Sequence, residues 1–196
     1  DRESFNRLAE VSRERLYDYI YRYTLDEDLT HDIVQESILK ILEALGKLRE
    51  PEQFWPWLYK IALNQIRLHH RNKQNRQTMS EPDMNPDPMY NKDGREVIAG
   101  MVYNEFKEAV FASMEELKPE HRSVINMRCY KQMPYAEIAK VIGRSEFATQ
   151  KLFFRAKQSL KKKLTRRGLG RGSLLIALVL FGKLTAPSKA AVASVS

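Results

Sequence analysis

Residues 135–157, YAEIAKVIGRSEFATQKLFFRAK, contain two helical periodicities that meet at a three-residue joint. Tyr135, Ile138, Ala139 and Ile142 recur at i, i+3, i+4 and i+7, the spacing of one buried stripe. Gly143 supplies the backbone freedom that ends a helix. Ser145 is a good cap for the next one, and Glu146 stands in its first turn, where the helix dipole favours an acid. In the second helix Thr149, Leu152, Phe153, Ala156 and Leu160 form another stripe. At about 100° per residue the opposite face gathers Phe147, Gln150, Lys151, Phe154, Arg155 and Gln158. Two phenylalanines therefore stand where water is expected.

Two helices joined by a short glycine-containing turn make a helix-turn-helix, whose second helix enters the DNA major groove. There Gln pairs with adenine, Lys with guanine, and an exposed ring touches thymine methyls. Base edges would then cover the two rings. The competing reading is a helix packed on both sides, with Phe147 and Phe154 in an interdomain contact.

Working outward, the 196 residues are 43% hydrophobic and 30% charged, enough for a core or two of modest size. One cysteine, Cys129, excludes an internal disulfide framework and multi-cysteine zinc sites and fits a reducing cytoplasm. No secretory leader opens the chain, and a start at Asp1 fits a trimmed sequence. The net charge is +8, and Arg155, Lys157, Lys161, Lys162, Lys163, Arg166, Arg167 and Arg171, with no acid among them, account for it. Such a block against a helix points to a polyanion, nucleic acid or an anionic membrane, or else to a solvated tail.

Helical spacing recurs almost everywhere and strand-like alternation is nearly absent, so the fold is expected to be all-α: two small helical domains joined by a flexible acidic linker. The expected division is a first domain over 1–76, a linker over 77–96, a second domain over 97–167 and a basic, apolar C-terminal extension over 168–196. In the linker, QTMSEPDMNPDPMYNKDG lacks periodicity and cannot form a packed core. The extension holds the apolar run Leu174–Phe181. Eight helical residues span about 12 Å, against about 30 Å for a bilayer core. It reads as a cut-off membrane anchor, an interfacial segment or a disordered tail.

The first block carries two further surfaces. A helix through LTHDIVQESILKILEALGKL should bury Val34, Ile38, Ile41, Leu42 and Leu45. Its other side shows Asp32, Gln35, Glu36, Leu39 and Glu43, acids around one exposed leucine, which suits docking to a basic helix or is an ordinary solvated face. In FWPWLYKIALNQIRLHHRN, Phe54, Trp57, Leu58, Ile61 and Leu68 should form the core stripe. Lys60, Asn64, Arg67 and Arg71 share a polar face, which His69, His70, Lys73 and Arg76 extend. His69 and His70 point to different sides, and His31 and His121 are isolated, so no metal site, cofactor or catalytic set is expected.

The stretch LKPEHRSVINMRCYKQMPYAEIAKVIGRSEFATQKLFFRAKQSL resembles region 4 of bacterial sigma-70 family sigma factors of the extracytoplasmic-function group. Leu117, Pro119, Arg122, Val124, Arg128, Tyr135, Glu137, Ile138, Ala139, Gly143, Ser145, Arg155 and Ala156 stand where that pattern wants them. HDIVQESILKILEAL is similar to the core-polymerase-binding helix of region 2, and EQFWPWLYKIALNQIRLHHRNK to its promoter-melting segment, with Trp57, Leu58, Ile61, Ala62 and Asn64 in register. The resemblance covers about residues 5–165. It implies a non-catalytic initiation factor that binds RNA polymerase core and promoter DNA. Asp32, Gln35, Glu36, Leu39 and Glu43 would meet the clamp helices of the largest subunit. Lys60, Asn64, Gln65, Arg67, Leu68, His69 and Arg71 would read the −10 element, since opening a promoter means holding single strand with cations along phosphates and pockets for an extruded base. Arg144, Ser145, Phe147, Gln150, Lys151, Phe154 and Arg155 would read the −35 element. The second-subunit flap and an anti-sigma factor are further implied partners, and the acidic linker would lie in the polymerase product channel or serve as a plain tether. The family commonly has a small residue where Phe147 stands and basic or polar residues at Leu152 and Phe154. The rival readings are a stand-alone helix-turn-helix regulator and a membrane-tethered adaptor using the basic, apolar tail.

Overall fold

The computed structural model describes residues 2–76, 94–170 and 172–186; the linker expectation over 77–93 and the tail after Ala186 lie outside them. Among the described residues there are eight α-helices and no strand: α1 (Arg2–Thr24), α2 (Glu27–Ala44), α3 (Phe54–Arg76), α4 (Gly94–Glu115), α5 (Pro119–Ile125), α6 (Tyr135–Ile142), α7 (Glu146–Arg166) and α8 (Ser173–Leu184).

Local chemistry sets the helix ends. Asp26 caps α2 by accepting a hydrogen bond from the Leu29 amide at 3.0 Å, which satisfies one of the orphan donors of the first turn. Pro119 opens α5, where its fixed φ suits a helix start and its missing N–H costs nothing. Between α6 and α7, Gly143 takes φ +71°, and its amide and that of Arg144 both turn back onto the Ala139 carbonyl. The Ser145 hydroxyl then accepts from the Ala148 amide at 3.2 Å. The joint of the helix-turn-helix forms as its residue types require.

α1, α2 and α3 enclose Leu16, Tyr19, Ile20, Ile33, Val34, Leu58, Leu63 and Ile66. α4 to α7, with a wide turn of helix over Asn126–Tyr130, enclose Val110, Met114, Val124, Ile125, Met127, Ile138, Leu152, Ala156, Leu160 and Leu164. The two groups meet along α1 and α3, so that the buried side chains form one continuous cluster. The seam is partly polar. The Asn126 amide donates to the Tyr19 carbonyl at 2.8 Å, Arg122 Nη1 to the Tyr23 carbonyl at 2.7 Å, and Lys131 pairs with Asp18.

Two expected stripes are turned. α2 buries Thr30, Ile33, Val34, Ser37 and Ile41, whereas Leu42 is exposed and Ile38 and Leu45 are half-buried. Thr30, 2.8 Å from the Thr24 hydroxyl of α1, and Ser37 are small and polar, and a count of large apolar residues misses that face. α3 buries Phe54, Leu58, Tyr59, Ala62, Leu63 and Ile66, leaving Trp57 and Ile61 half-buried and Leu68 exposed. Wedged between α1, α2 and α6, it needs a broader face than the stripe predicted. α6 likewise buries Val141, with Tyr135 and Ile142 half-buried.

The extension is not a disordered tail over 173–184. α8 packs with Ala177 and Phe181 buried. No described helix is long and apolar enough to cross a membrane.

A Cβ on Gly143 would meet nothing within 4 Å, so substitution there is penalised by backbone conformation alone. Gly143→Ala should cost about 1–2 kcal/mol in urea unfolding, while Gly46→Ala, equally open and without positive φ, should be neutral or slightly stabilising.

Candidate nucleic-acid and partner interfaces

α7 presents its inner stripe, Thr149, Leu152, Ala156, Leu160 and Leu164, to the core. Its outer face displays Phe147 at 66% and Phe154 at 59% exposure, together with Gln150, Lys151, Arg155 and Gln158. The interdomain-contact reading of the two rings is therefore overturned. Phe153 is half-buried beside Tyr135, ring centroids 5.9 Å apart.

The polar groups of this face are engaged with one another. Lys151 Nζ lies 4.2 Å over the Phe147 ring, and Gln150 Nε2 reaches Glu146 at 3.5 Å. Arg144, in the turn, donates to both carboxylate oxygens of Glu120 at 2.8 Å. Ion pairs this exposed contribute about 0–1 kcal/mol, so a polyanion can displace them cheaply. Within the basic block, Lys163 meets Glu116 at 2.8 Å and Arg167 meets its other oxygen. The Lys163 hydrogen bond holds the Glu116 carboxyl below its usual range. Arg155, Lys162 and Arg166 remain exposed, and Arg171 lies outside the described residues.

On α2, Asp32, Gln35, Glu36, Leu39 and Glu43 are all exposed. Leu39, at 55%, is joined by Leu42 at 51%. The periodicity count assigned Leu42 to the core, so the apolar centre of this face is twice as large as expected. Only the polar residues of the true inner stripe, Thr30 and Ser37, could have signalled it. Glu43 pairs with Lys40 at 2.9 Å.

The outer face of α3 shows Lys60, Asn64, Arg67, Leu68 and Arg71, with Gln65 and His69 half-buried. His69 Nε2 lies 2.9 Å from Glu36 Oε2, tying the cationic face of α3 to the acidic face of α2. Beside this bridge is a hollow of about 250 Å³ lined by Lys40, Ala44, Trp57, Ile61, Asn64 and Gln65. An indole face, two amides and an ammonium suit a flat extruded base, which needs stacking and hydrogen bonds at once. Lys40 and Ala44 were not expected here, although their i, i+4 spacing on α2 puts them on one side. Trp55 is instead held in the fold, with Arg15 4.0 Å above its ring and Phe54 at 5.0 Å. Burial pushes the Cys129 thiol up, away from nucleophilic use.

Comparison with known proteins follows the same division. The sequence matches the sigma-70 region 2 family over residues 8–76 and the sigma-70 region 4 family over residues 107–160. The RNA polymerase sigma-H factor of Pseudomonas aeruginosa is 24% identical over 169 residues, covering 84% of this chain and 88% of that protein. The ECF RNA polymerase sigma-E factor of Escherichia coli K12 is 26% identical over the same shares of both chains. Among solved structures, the sigma factor RpoE of Bartonella quintana, crystallised with the anti-sigma factor NepR, is 17% identical with a TM-score of 0.60. That match covers 83% of this chain and 98% of that one.

The two faces of α7 should separate in stability measurements. Leu152→Ala removes a buried side chain and should cost about 2–5 kcal/mol. Phe154→Ala, from the exposed face, should stay within about 0.5 kcal/mol by urea unfolding.

Proposed function

The chain belongs to the sigma-70 family, in its extracytoplasmic-function group, and directs RNA polymerase to promoters; from this we propose how its surfaces divide the task. The face of α2 formed by Asp32, Gln35, Glu36, Leu39, Leu42 and Glu43 docks on the clamp helices of the polymerase's largest subunit. Its two leucines are the apolar anchor, and the acids steer and set register. Lys60, Asn64, Gln65, Arg67, Leu68, His69 and Arg71 take the non-template strand of the −10 element, cations along phosphates and the hollow beside Trp57 receiving an extruded base. Arg144, Ser145, Phe147, Gln150, Lys151, Phe154 and Arg155 read the −35 duplex. The basic residues after Arg155 hold flanking phosphates.

The observation that carries this reading is the pair of exposed leucines among acids on α2, hydrogen-bonded through Glu36 to the cationic face of α3. A stand-alone operator-binding regulator has no use for such a patch. The protein acts by binding rather than catalysis, and its place of work is the bacterial cytoplasm. The flap of the second polymerase subunit and an anti-sigma protein are the further proposed partners. Contact with a membrane would fall to the exposed Leu175, Ile176 and Val179 of α8.

Reconstitution with core polymerase and run-off transcription tests the whole reading: a chain that shifts duplex DNA yet never restores initiation is a regulator instead. Asp32→Arg with Glu36→Arg should abolish holoenzyme assembly while leaving the helical circular dichroism unchanged. Leu42→Asp should weaken core binding at least tenfold, about 1.4 kcal/mol. Lys151→Ala should weaken −35 binding by about 1–3 kcal/mol and relax preference at one base pair. An equal loss on every sequence would make it a phosphate contact.

A further inference from the structure

α8 joins the two halves of the fold, and it does so with different chemistry on each side. Toward the second half its contacts are apolar and close. Phe181 is buried, its ring 5.3 Å from Phe111 of α4 and 5.8 Å from Tyr130. The Tyr130 hydroxyl donates to the Leu178 carbonyl at 3.0 Å. At Gly182 a Cβ would stand 2.9 Å from the Tyr130 ring, so no larger residue fits without displacing it. Toward the first half the contacts are polar. Arg22 of α1 donates from Nε to the buried Thr185 hydroxyl at 3.1 Å and from Nη2 to the Gly182 carbonyl at 3.5 Å. The same guanidinium lies 5.0 Å over the Tyr130 ring and pairs with Asp18, which Lys131 of the second half also holds.

Arg22 is only 7% exposed, and most of its partners come from more than a hundred residues away. Ring packing keeps α8 on the second half. Its tie to the first half is a set of hydrogen bonds from one charged group, about 1.5–3 kcal/mol each, which water replaces once the guanidinium is exposed. Such a joint holds firmly on one side and releases on the other.

The closed arrangement matters because of length. The longest helices, α1 and α3 with 23 residues each, are about 35 Å long. A compact chain of 196 residues has a radius of gyration of about 16 Å. The −10 and −35 elements lie about 25 base pairs apart, about 85 Å of duplex at 3.4 Å per pair. One closed molecule cannot touch both.

We propose that α8 is a latch in cis: by gripping Arg22 it holds the two halves closed, and it must release α1 before the protein can occupy a promoter. The functional consequence rests on the sigma-factor reading, whereas the latch itself can be tested in the free chain.

Two variants suit the test. Ending the chain after Gly172 removes α8 outright. Thr185→Val keeps the shape of α8 and deletes the hydroxyl that Arg22 grips. In each, a dye pair at Glu10→Cys and Lys162→Cys, in a Cys129→Ser background, reports the separation of the halves by energy transfer. Undyed proteins are assayed for run-off transcription with limiting sigma and for urea unfolding. The expected result is lower transfer efficiency in both variants and more transcript at limiting concentration. If the latch closes about nine molecules in ten, the gain in apparent affinity for core enzyme is about tenfold, the reciprocal of the open fraction. Unchanged energy transfer in both variants overturns the latch. Lower transfer with unchanged or reduced transcript, in a Thr185→Val protein of normal stability, overturns its inhibitory role. Should the full-length chain never initiate with core enzyme, the sigma-factor reading fails separately, and the energy-transfer result still judges the latch.

Discussion

The fold turns on the last two turns of α1. A helix leaves its final carbonyls without partners of its own, and here the second half of the chain serves one of them: Arg122 reaches the Tyr23 carbonyl and places a cation where the helix dipole is negative. One turn earlier Asn126 adds a donor to the Tyr19 carbonyl, and Asp18 stands between Arg22 and Lys131. Burial lowers the pKa of Lys131, against the pull of Asp18, so its charge is maintained at a cost. Buried ion pairs of this kind add little net stability, but removing one partner alone is expensive. They favour two outcomes, fully paired or fully hydrated, and penalise anything between.

How much of this was readable in advance depended on the range of the interaction. The joint of the helix-turn-helix and the two faces of α7 were legible because their determinants are local, whereas the face of α6 was only partly so. Gly143, Ser145 and the stripe from Thr149 to Leu160 all act within a few residues of one another, and the outward rings of Phe147 and Phe154 followed from spacing alone. α2 and α3 were legible as helices but not as orientations. Their faces are chosen by several neighbours at once, and the inner stripe of α2 includes the small polar Thr30, beside Thr24 of α1, and Ser37. Spacing alone therefore placed Leu42 on the wrong side. The Glu36–His69 bridge and the contribution of Lys40 to the hollow depend on a crossing of α2 and α3 that no single-helix pattern encodes.

The C-terminal segment shows the same limit more sharply. Leu174–Phe181 announces itself as apolar, and its length already argued against a membrane span. Nothing near it in sequence names what it packs on. Phe111 and Tyr130 lie on other helices, and Arg22 is 163 residues from Thr185. An apolar run beside a cationic one is the same pattern whether it meets lipid or its own fold. Contacts from distant parts of the chain distinguish a built surface from a tail: the burial of Phe181 between Phe111 and Tyr130, and the closeness of Gly182 to the Tyr130 ring, which tolerates no side chain.

The surfaces and the seam also share an energetic logic. Apart from Ser145, which caps α7, the polar side chains on its outer face and in its turn that have a described partner have a weak, exposed one: Arg144 with Glu120, Lys151 with a ring, Gln150 with Glu146. Exchanging these for phosphates and base edges sacrifices about 1 kcal/mol or less apiece, while each good base pairing returns about 1–3 kcal/mol. If the halves are closed in about nine molecules of ten, opening them takes about 1.4 kcal/mol from binding, the equivalent of that tenfold. Contacts made by core enzyme and by each DNA element would all favour the open form, so under the proposed latch the binding of one half favours the binding of the other.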